Sequence, residues 1–378
     1  MTYKNCFVFI DGAFKKTNFS VKDGVFAEIA DDLDGDVTDL DGAYVLPGLI
    51  DVHTHGCAGF DFSNADTDGV YAMTKCYASK GVTSVAATTM TSPLDLSRAA
   101  HKTIGDVIKS GKREGARILG VNMEGPFIGK DKKGAHNEAL ILPPTSELFD
   151  ELDALTGGNI RIVDVDPRSD GAYDFIKKYS ASRIVSLAHT SANYDEACKA
   201  FDYGAREVTH LFNAMNPLHH RDPGVIGAFA DNTGKGVRAE IICDGFHIHP
   251  SAIRLMFKAC PDNMVLISDS MCAAGMPDGI YQLGGYDVLV KDGKAVQADA
   301  PETIAGSATN VFQCLKNVAT TFGIDKYKAI AAATSTPAKI LAVDDKLGYI
   351  KPGYIADFVV IDEAFNLKDV YISAEKYN

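Results

Sequence analysis

Six residues of this chain have types and positions suited to holding a cation and moving a proton. His53 and His55 flank a single threonine in Asp51-Val52-His53-Thr54-His55-Gly56. On a strand, residues i and i+2 project from the same side, so the two imidazoles can chelate one ion. Glu124, His189 and His210 each close a short apolar run. Together they offer the mixed nitrogen and oxygen donors of a catalytic zinc site that keeps one position for water. A divalent ion lowers the pKa of such a water to about 7. Asp269 ends another apolar run. It is read as the group that accepts the water's proton and returns it to a leaving group, and as a further candidate ligand. These donors do not choose among zinc, iron, manganese and cobalt. Glu124 either bridges two ions or belongs to one, so one or two ions remain open. The run ending at Asp164-Val165-Asp166-Pro167 carries no lysine, which argues against a carbamylated lysine bridge.

A second group of residues suits recognition of an anion. His210-Leu211-Phe212-Asn213-Ala214-Met215-Asn216-Pro217 leads into His219, His220 and Arg221. Successive backbone N–H groups on such a loop can cradle an anion. Arg221 and His247 can add charge-assisted hydrogen bonds. A phosphate is the ligand these residues favour, against the plainer reading of a polar loop. The segment Ile128–His136 contains two glycines and ends in His136, which can reach over the site and steady a developing oxyanion. Its charge run, Lys130-Asp131-Lys132-Lys133, reads as solvated surface. Ser307 reads as the N-cap of the helix after Ala305-Gly306 rather than as a nucleophile. Cys57 and Cys272 fall nearby in sequence, but no Cys–His pairing supports thiol catalysis.

Positioning these side chains takes a repeated scaffold. Eight short apolar or β-branched runs follow one another: Val45–Val52, Val82–Ala87, Ile118–Met123, Ile160–Val165, Ile184–Ala188, Glu207–Thr209, Val237–Cys243 and Met264–Ile267. Helical patterns lie between them, as at Leu94–Ser110, Tyr194–Tyr203 and Ala252–Ala259. Alternation of this kind predicts parallel pairing, and eight units in about 300 residues predict a closed TIM-like (β/α)8 barrel. The carboxyl ends of its strands meet at one mouth, where the reactive residues then gather. A doubly wound open sheet is the competitor, but no GxGxxG follows a first strand. The runs Tyr286–Val290 and Lys294–Val296 flank Lys291-Asp292-Gly293 and predict a hairpin over the mouth. At both chain ends short strands and Asp-Gly or Pro-Gly turns predict a small β-sandwich domain made from both termini. The expected division is residues 1–46 and 343–378 for that domain and 47–342 for the barrel.

Composition narrows the function. Lys and Arg number 37 against 50 Asp and Glu, a formal charge of −13, so general nucleic-acid binding is not expected. No apolar run approaches the roughly 20 residues of a membrane span, and the first ten residues are too short an apolar stretch for a signal peptide. Eight irregularly spaced cysteines point to reduced thiols and a cytoplasmic protein.

Pro47-Gly48-Leu49-Ile50-Asp51-Val52-His53-Thr54-His55-Gly56 resembles the opening strand of the amidohydrolase superfamily. Glu124-Gly125-Pro126-Phe127, Lys133-Gly134-Ala135-His136, Thr209 to Met215 and Ser268-Asp269-Ser270-Met271 resemble, within it, the N-acetylglucosamine-6-phosphate deacetylase family, over essentially the whole chain. The resemblance implies metal-dependent removal of acetate from N-acetyl-D-glucosamine 6-phosphate. It implies Glu124, His189 and His210 as principal metal ligands, and His53 and His55 as a second site that some members have lost. Asp269 matches the acid/base and His136 the residue contacting the scissile carbonyl. Asn213, Ala214 and His247 match groups around sugar and phosphate. Arg221 matches a phosphate-binding arginine supplied across a homodimer interface. Two departures are Asn122, where many members carry histidine, and Ser268-Asp269-Ser270, where Thr-Asp-Ala is common. The rival readings are a deacetylase of another phosphorylated amino sugar such as the galactosamine epimer, a superfamily deaminase or cyclic-amide hydrolase, and a non-catalytic metal-binding scaffold.

Overall fold

A computed structural model describes residues 1–377. Its centre is an eight-stranded parallel sheet in which each strand neighbours the next in chain order. The strands are Leu49–Thr54, Val82–Met90, Arg117–Glu124, Ile160–Val165, Ile184–Leu187, Glu207–Val208, Arg238–Ile242 and Met264–Ile267. The first and eighth meet, because the Asp269 N–H donates to the His53 carbonyl (3.0 Å) and the His55 N–H to the Ser270 carbonyl (2.8 Å). The expected barrel is therefore present. Its strands read as continuous apolar runs because both faces are covered, as in Val82–Met90, where every residue is buried. Ile50, Val52, Ile162, Ile242, Val265 and Ile267 form one cluster with Ile340, Leu341 and Leu347. Strands four and seven are not neighbours, so this cluster fills the barrel across its width.

The expected helices appear at Leu94–Ser110, Tyr194–Tyr203 and Pro250–Ala259. Tyr194–Tyr203 starts on a capping box between Asn193 and Glu196 and stops at left-handed Gly204.

Both chain ends build one seven-stranded mixed sheet, in the order Glu375–Tyr377, Leu367–Ile372, Phe358–Ile361, Val37–Pro47, Thr2–Ile10, Ala13–Lys22, Val25–Ala30. Tyr3, Phe19, Phe26, Phe358 and Tyr371 pack on one another in its core. Asp11-Gly12, Asp23-Gly24 and Asp292-Gly293 each take positive φ at both positions and close two-residue hairpins, as their sequences predict.

Two expectations change. The run Val45–Val52 is two strands, one in the terminal sheet and one in the barrel, divided at Gly48. The Gly48 N–H donates to the Asp357 carbonyl (2.8 Å), and a Cβ at Gly48 would stand 2.2 Å from Thr83 Oγ1, so only glycine allows the chain to cross there. Ser307 is not a helix cap: the helix Val311–Lys316 is capped by Asn310. Ser307 Oγ donates instead to the Ser268 carbonyl (2.6 Å). No helix among the described residues is long and apolar enough to cross a membrane.

Candidate metal centre

The ligand positions follow one rule of geometry. His189, His210 and Asp269 each lie two residues beyond the end of a barrel strand, and each takes left-handed backbone, with φ of 45°, 31° and 48°. Such a conformation costs a non-glycine residue about 1–2 kcal/mol and persists only where the surroundings impose it. Neighbouring strands impose it here. The His210 N–H donates to Glu240 Oε2 (3.1 Å), and the Leu211 N–H to the Glu240 carbonyl (2.8 Å). Asp269 is held on both sides, by its own N–H to His53 and by the Ser307 N–H to its carbonyl (2.8 Å).

Glu124, His189 and His210 converge. His189 Nε2 lies 3.0 Å from Glu124 Oε1 and His210 Nε2 3.1 Å from the same oxygen, while the two Nε2 atoms are 3.0 Å apart. His189 Nδ1 faces the Lys132 carbonyl at 2.7 Å. A carbonyl only accepts, so Nδ1 carries the proton and Nε2 aims a lone pair at the other two ligands. An ion held at about 2.0–2.1 Å in tetrahedral geometry requires ligand atoms about 3.3 Å apart. The three donors fit a divalent cation in number, chemistry and spacing.

His53 and His55 form an adjoining set. Their Nε2 atoms are 3.3 Å apart, and Asp269 Oδ1 lies 3.3 Å from His55 Nε2 and 3.7 Å from His53 Nε2. His53, His55 and Asp269 make a second cluster able to hold a metal. Glu124 spans both sets, with Oε1 on His189 and His210 and Oε2 on His55 (3.1 Å). This is the arrangement of a bridging carboxylate.

Electrostatics match. Burial pushes Glu124 toward its neutral form, but the charges and hydrogen bonds of His53, His136 and His189 outweigh it and hold the carboxyl well below its ordinary range. Burial acts the same way on Asp269, where the His55 hydrogen bond and the charge of His53 bring it down to about 2. Both are anions at neutral pH. Among the imidazoles, burial wins at His189, lowering it to about 4. At His55, Asp269 and Glu124 overcome burial and raise it to about 10.

His136 arrives from its loop. The Thr91 N–H donates to His136 Nδ1 (3.3 Å), so the proton is on Nε2. That atom lies 3.3 Å from Glu124 Oε2, ready to donate at the centre.

A cavity of about 520 Å3 opens above. It is lined by His55, Glu124, His136, His189, His210 and Asp269 together with Asn213, Ala214 and His247, a size in the usual range for small-ligand sites. His247 Nδ1 is fixed by Asp244 Oδ2 at 2.7 Å. Lys130, Lys132 and Lys133 also line the cavity, which corrects the reading of that charge run as plain solvated surface. Three lysines beside a glycine and the candidate His136 were the available signal. Arg221 is not in this cavity. It sits exposed on the loop 217–222, its N–H on His219 Nδ1 (3.4 Å). The hairpin stands where expected, extended by Gly279–Leu283 to three strands, and Leu283 contributes to the wall. Asn122 donates to the Val52 carbonyl (3.1 Å), and Ser268 Oγ to Asp51, so both departures from the family pattern serve packing between strands.

With the barrel, the converging ligands and the strand-end carboxylate in place, the chain belongs to the amidohydrolase family, whose model matches residues 44–376. Within that class its relatives are deacetylases of amino-sugar phosphates. It is 35% identical to N-acetylglucosamine-6-phosphate deacetylase of Bos taurus, over 99% of this chain and 94% of the bovine one. It is also 35% identical to N-acetylgalactosamine-6-phosphate deacetylase of Escherichia coli O157:H7, over 94% of this chain and 93% of that protein. A mutant N-acetyl-D-glucosamine-6-phosphate deacetylase from Mycobacterium smegmatis, solved with N-acetyl-D-glucosamine-6-phosphate, superposes with a TM-score of 0.93 at 28% identity, covering 100% of this chain and 99% of that one.

Proposed function

We propose that this protein is a metal-dependent amide hydrolase that removes acetate from N-acetyl-D-glucosamine 6-phosphate, leaving D-glucosamine 6-phosphate. The observation that carries the reading is the convergence of Glu124, His189 and His210 within about 3 Å of one another, beside the carboxylate of Asp269 and the Nε2–H of His136. Bound divalent metal, for which we propose zinc, supplies an acidified water and a Lewis acid for the acetyl carbonyl. Asp269, anionic at neutral pH, takes the water's proton on its carboxylate and delivers it to the amide nitrogen as the C–N bond breaks. His136 Nε2–H donates to the oxygen on which negative charge develops. The sugar phosphate is held by Asn213, the backbone at Ala214, and His247. The loop lysines add positive potential in an otherwise acidic protein. His53 and His55, with Asp269 and Glu124, form the position for a second ion.

Arg221 serves the same phosphate from a second copy in a homodimer. Support comes from its exposure, and that of Leu218, outside its own cavity. The catalytic unit is the segment 47–342, with 1–46 and 343–378 forming the terminal domain. Eight free cysteines support a cytoplasmic location.

The galactosamine epimer is the second reading, favoured by the relative from Escherichia coli O157:H7. The test is acetate release from both N-acetylated hexosamine phosphates and their unphosphorylated forms, on protein of measured metal content. The glucosamine phosphate should be preferred. Preference for the galactosamine phosphate would replace the substrate, and release of ammonia instead of acetate would replace the reaction. Asp269→Asn should cut turnover by about 100-fold or more with metal still bound at Glu124, His189 and His210. Full turnover in that variant removes the proton-transfer role.

A further inference from the structure

Glu240 lies in the seventh barrel strand, fully buried between Ala239 and Ile241. It borders no cavity described above, and nothing in the reaction uses it directly. One of its oxygens nevertheless makes two contacts with the metal centre. Glu240 Oε2 is 2.9 Å from His53 Nδ1 and accepts the His210 N–H at 3.1 Å. Its other oxygen, Oε1, is buried with no hydrogen-bond partner among the described residues. A carboxylate oxygen facing Nδ1 accepts the ring proton, which leaves the His53 lone pair on Nε2.

We infer that Glu240 is a positioning residue that acts through His53. Its carboxylate keeps the His53 proton on Nδ1, turns the Nε2 lone pair toward Asp269 and Glu124, and so tunes the affinity of the second ion. The same oxygen braces the left-handed backbone of His210, which belongs to the other ligand set, so the two ion positions are tied through a single carboxylate. A carboxylate partner of this kind orients a ligating histidine and raises its basicity, and its loss typically costs about 10- to 100-fold in metal affinity. The inference rests on the metal-centre reading above.

The test is equilibrium dialysis of the full chain in zinc–chelator buffers, counting zinc per chain, together with the visible spectrum of the cobalt-substituted protein. Wild type should bind two ions. Glu240→Gln, which keeps the shape and one acceptor oxygen, should hold one ion as wild type does and bind the other about 10- to 100-fold more weakly, with a changed cobalt spectrum. Glu207→Gln is the control, because Glu207 is equally buried and its carboxylate has no partner. It should titrate as wild type. If Glu240 acts through His53, the double variant Glu240→Gln/His53→Gln binds zinc no more weakly than His53→Gln alone. Should Glu240→Gln fail to fold, Glu240→Asp retains the charge at a longer reach and should weaken only the second ion. Wild-type titration by the Glu240 variants, equal weakening in Glu207→Gln, or a wild type that binds a single ion each overturns the inference and leaves the metal centre standing. A wild type that binds no divalent ion overturns the metal-centre reading itself.

Discussion

The Asp244–His247 pair shows how one side chain prepares another. Burial alone raises the Asp244 carboxyl. The hydrogen bond and charge of His247, with the N–H groups of Phe246 and His247, outweigh it and hold the carboxyl below its ordinary range. Since a lowered value keeps Asp244 ionised down to more acidic pH, the pair is intact throughout the neutral range. Asp244 Oδ2 accepts from His247 Nδ1 and so fixes the imidazole where it lines the cavity, in position to hydrogen-bond a phosphate. Asp244→Asn should therefore raise KM for the phosphorylated sugar about tenfold, the equivalent of ~1.5 kcal/mol for a hydrogen bond to a charged group. It should leave kcat and the KM of the unphosphorylated sugar nearly unchanged. Steady-state kinetics on both sugars checks this, and an equal change on both would detach His247 from the phosphate. Residues of this site differed in how far the sequence disclosed them. Glu124, His189, His210 and Asp269 stand out in the sequence because metal and proton chemistry admit few residue types and each closes an apolar run, and the structure brings them together. Lys130, Lys132 and Lys133 were misread because a charge run on a glycine-containing loop has the composition of solvated surface, whichever way the loop folds. Glu240 gave no signal, since a single carboxylate between Ala239 and Ile241 has neither periodicity nor a motif.

Strands and loops set the precision with which those side chains meet. Strand identity was readable from continuous apolar runs, yet the end of the first run was not, because the break at Gly48 comes from close approach to Thr83 in another strand. Ser307 had the composition of a cap but ties its loop to the segment just past the eighth barrel strand, and that choice depends on the Ser268 carbonyl, far away in sequence. The same dependence governs His136. Its loop is fastened by Lys133, whose Nζ reaches the His136 carbonyl (3.4 Å) and the Tyr286 hydroxyl (3.3 Å), and by a close contact with the hairpin wall at Gly284. There φ is +59°, and a Cβ would stand 2.3 Å from the Ala135 carbonyl oxygen. Backbone atoms leave little room to yield, so Gly284→Ala must push the loop away from the wall and carry His136 from Glu124. We expect kcat to fall about tenfold or more, since an oxyanion donor is worth about 2.7–4 kcal/mol when lost outright. The left-handed alanine should cost only about 1–2 kcal/mol of stability. Kinetics beside a urea denaturation curve separates the two effects. Unaltered kcat would show that the hairpin does not position His136.

At the scale of the molecule, the terminal sheet and the barrel are joined at the end of the strands opposite the metal centre. Arg117 begins the third strand that Glu124 ends, and seven residue steps of about 3.3 Å separate them by roughly 23 Å. Arg117 Nε and Nη2 donate to the two oxygens of Asp357 at 3.1 and 3.3 Å. Asp357, which precedes the terminal-sheet strand Phe358–Ile361, is only 3% exposed. Its Oδ1 also accepts the Ser373 N–H at 2.7 Å, and its carbonyl accepts the N–H of Gly48 where the chain crosses into the barrel. One residue thus ties three other segments of the chain across the junction, two of them through its carboxylate. Removing one partner of a buried pair leaves the other charge uncompensated, at about 3–5 kcal/mol for full burial. Arg117 keeps some solvent contact, with its side chain 24% exposed, which places Asp357→Asn nearer about 2–3 kcal/mol. The variant should unfold at a lower urea concentration. At 25 °C its kcat, KM and metal content should match wild type, because no ligand-bearing strand end touches the junction. A loss of metal or turnover in step with the loss of stability would mean that the terminal sheet reaches the chemistry through the barrel, and that the two units work as one mechanical body.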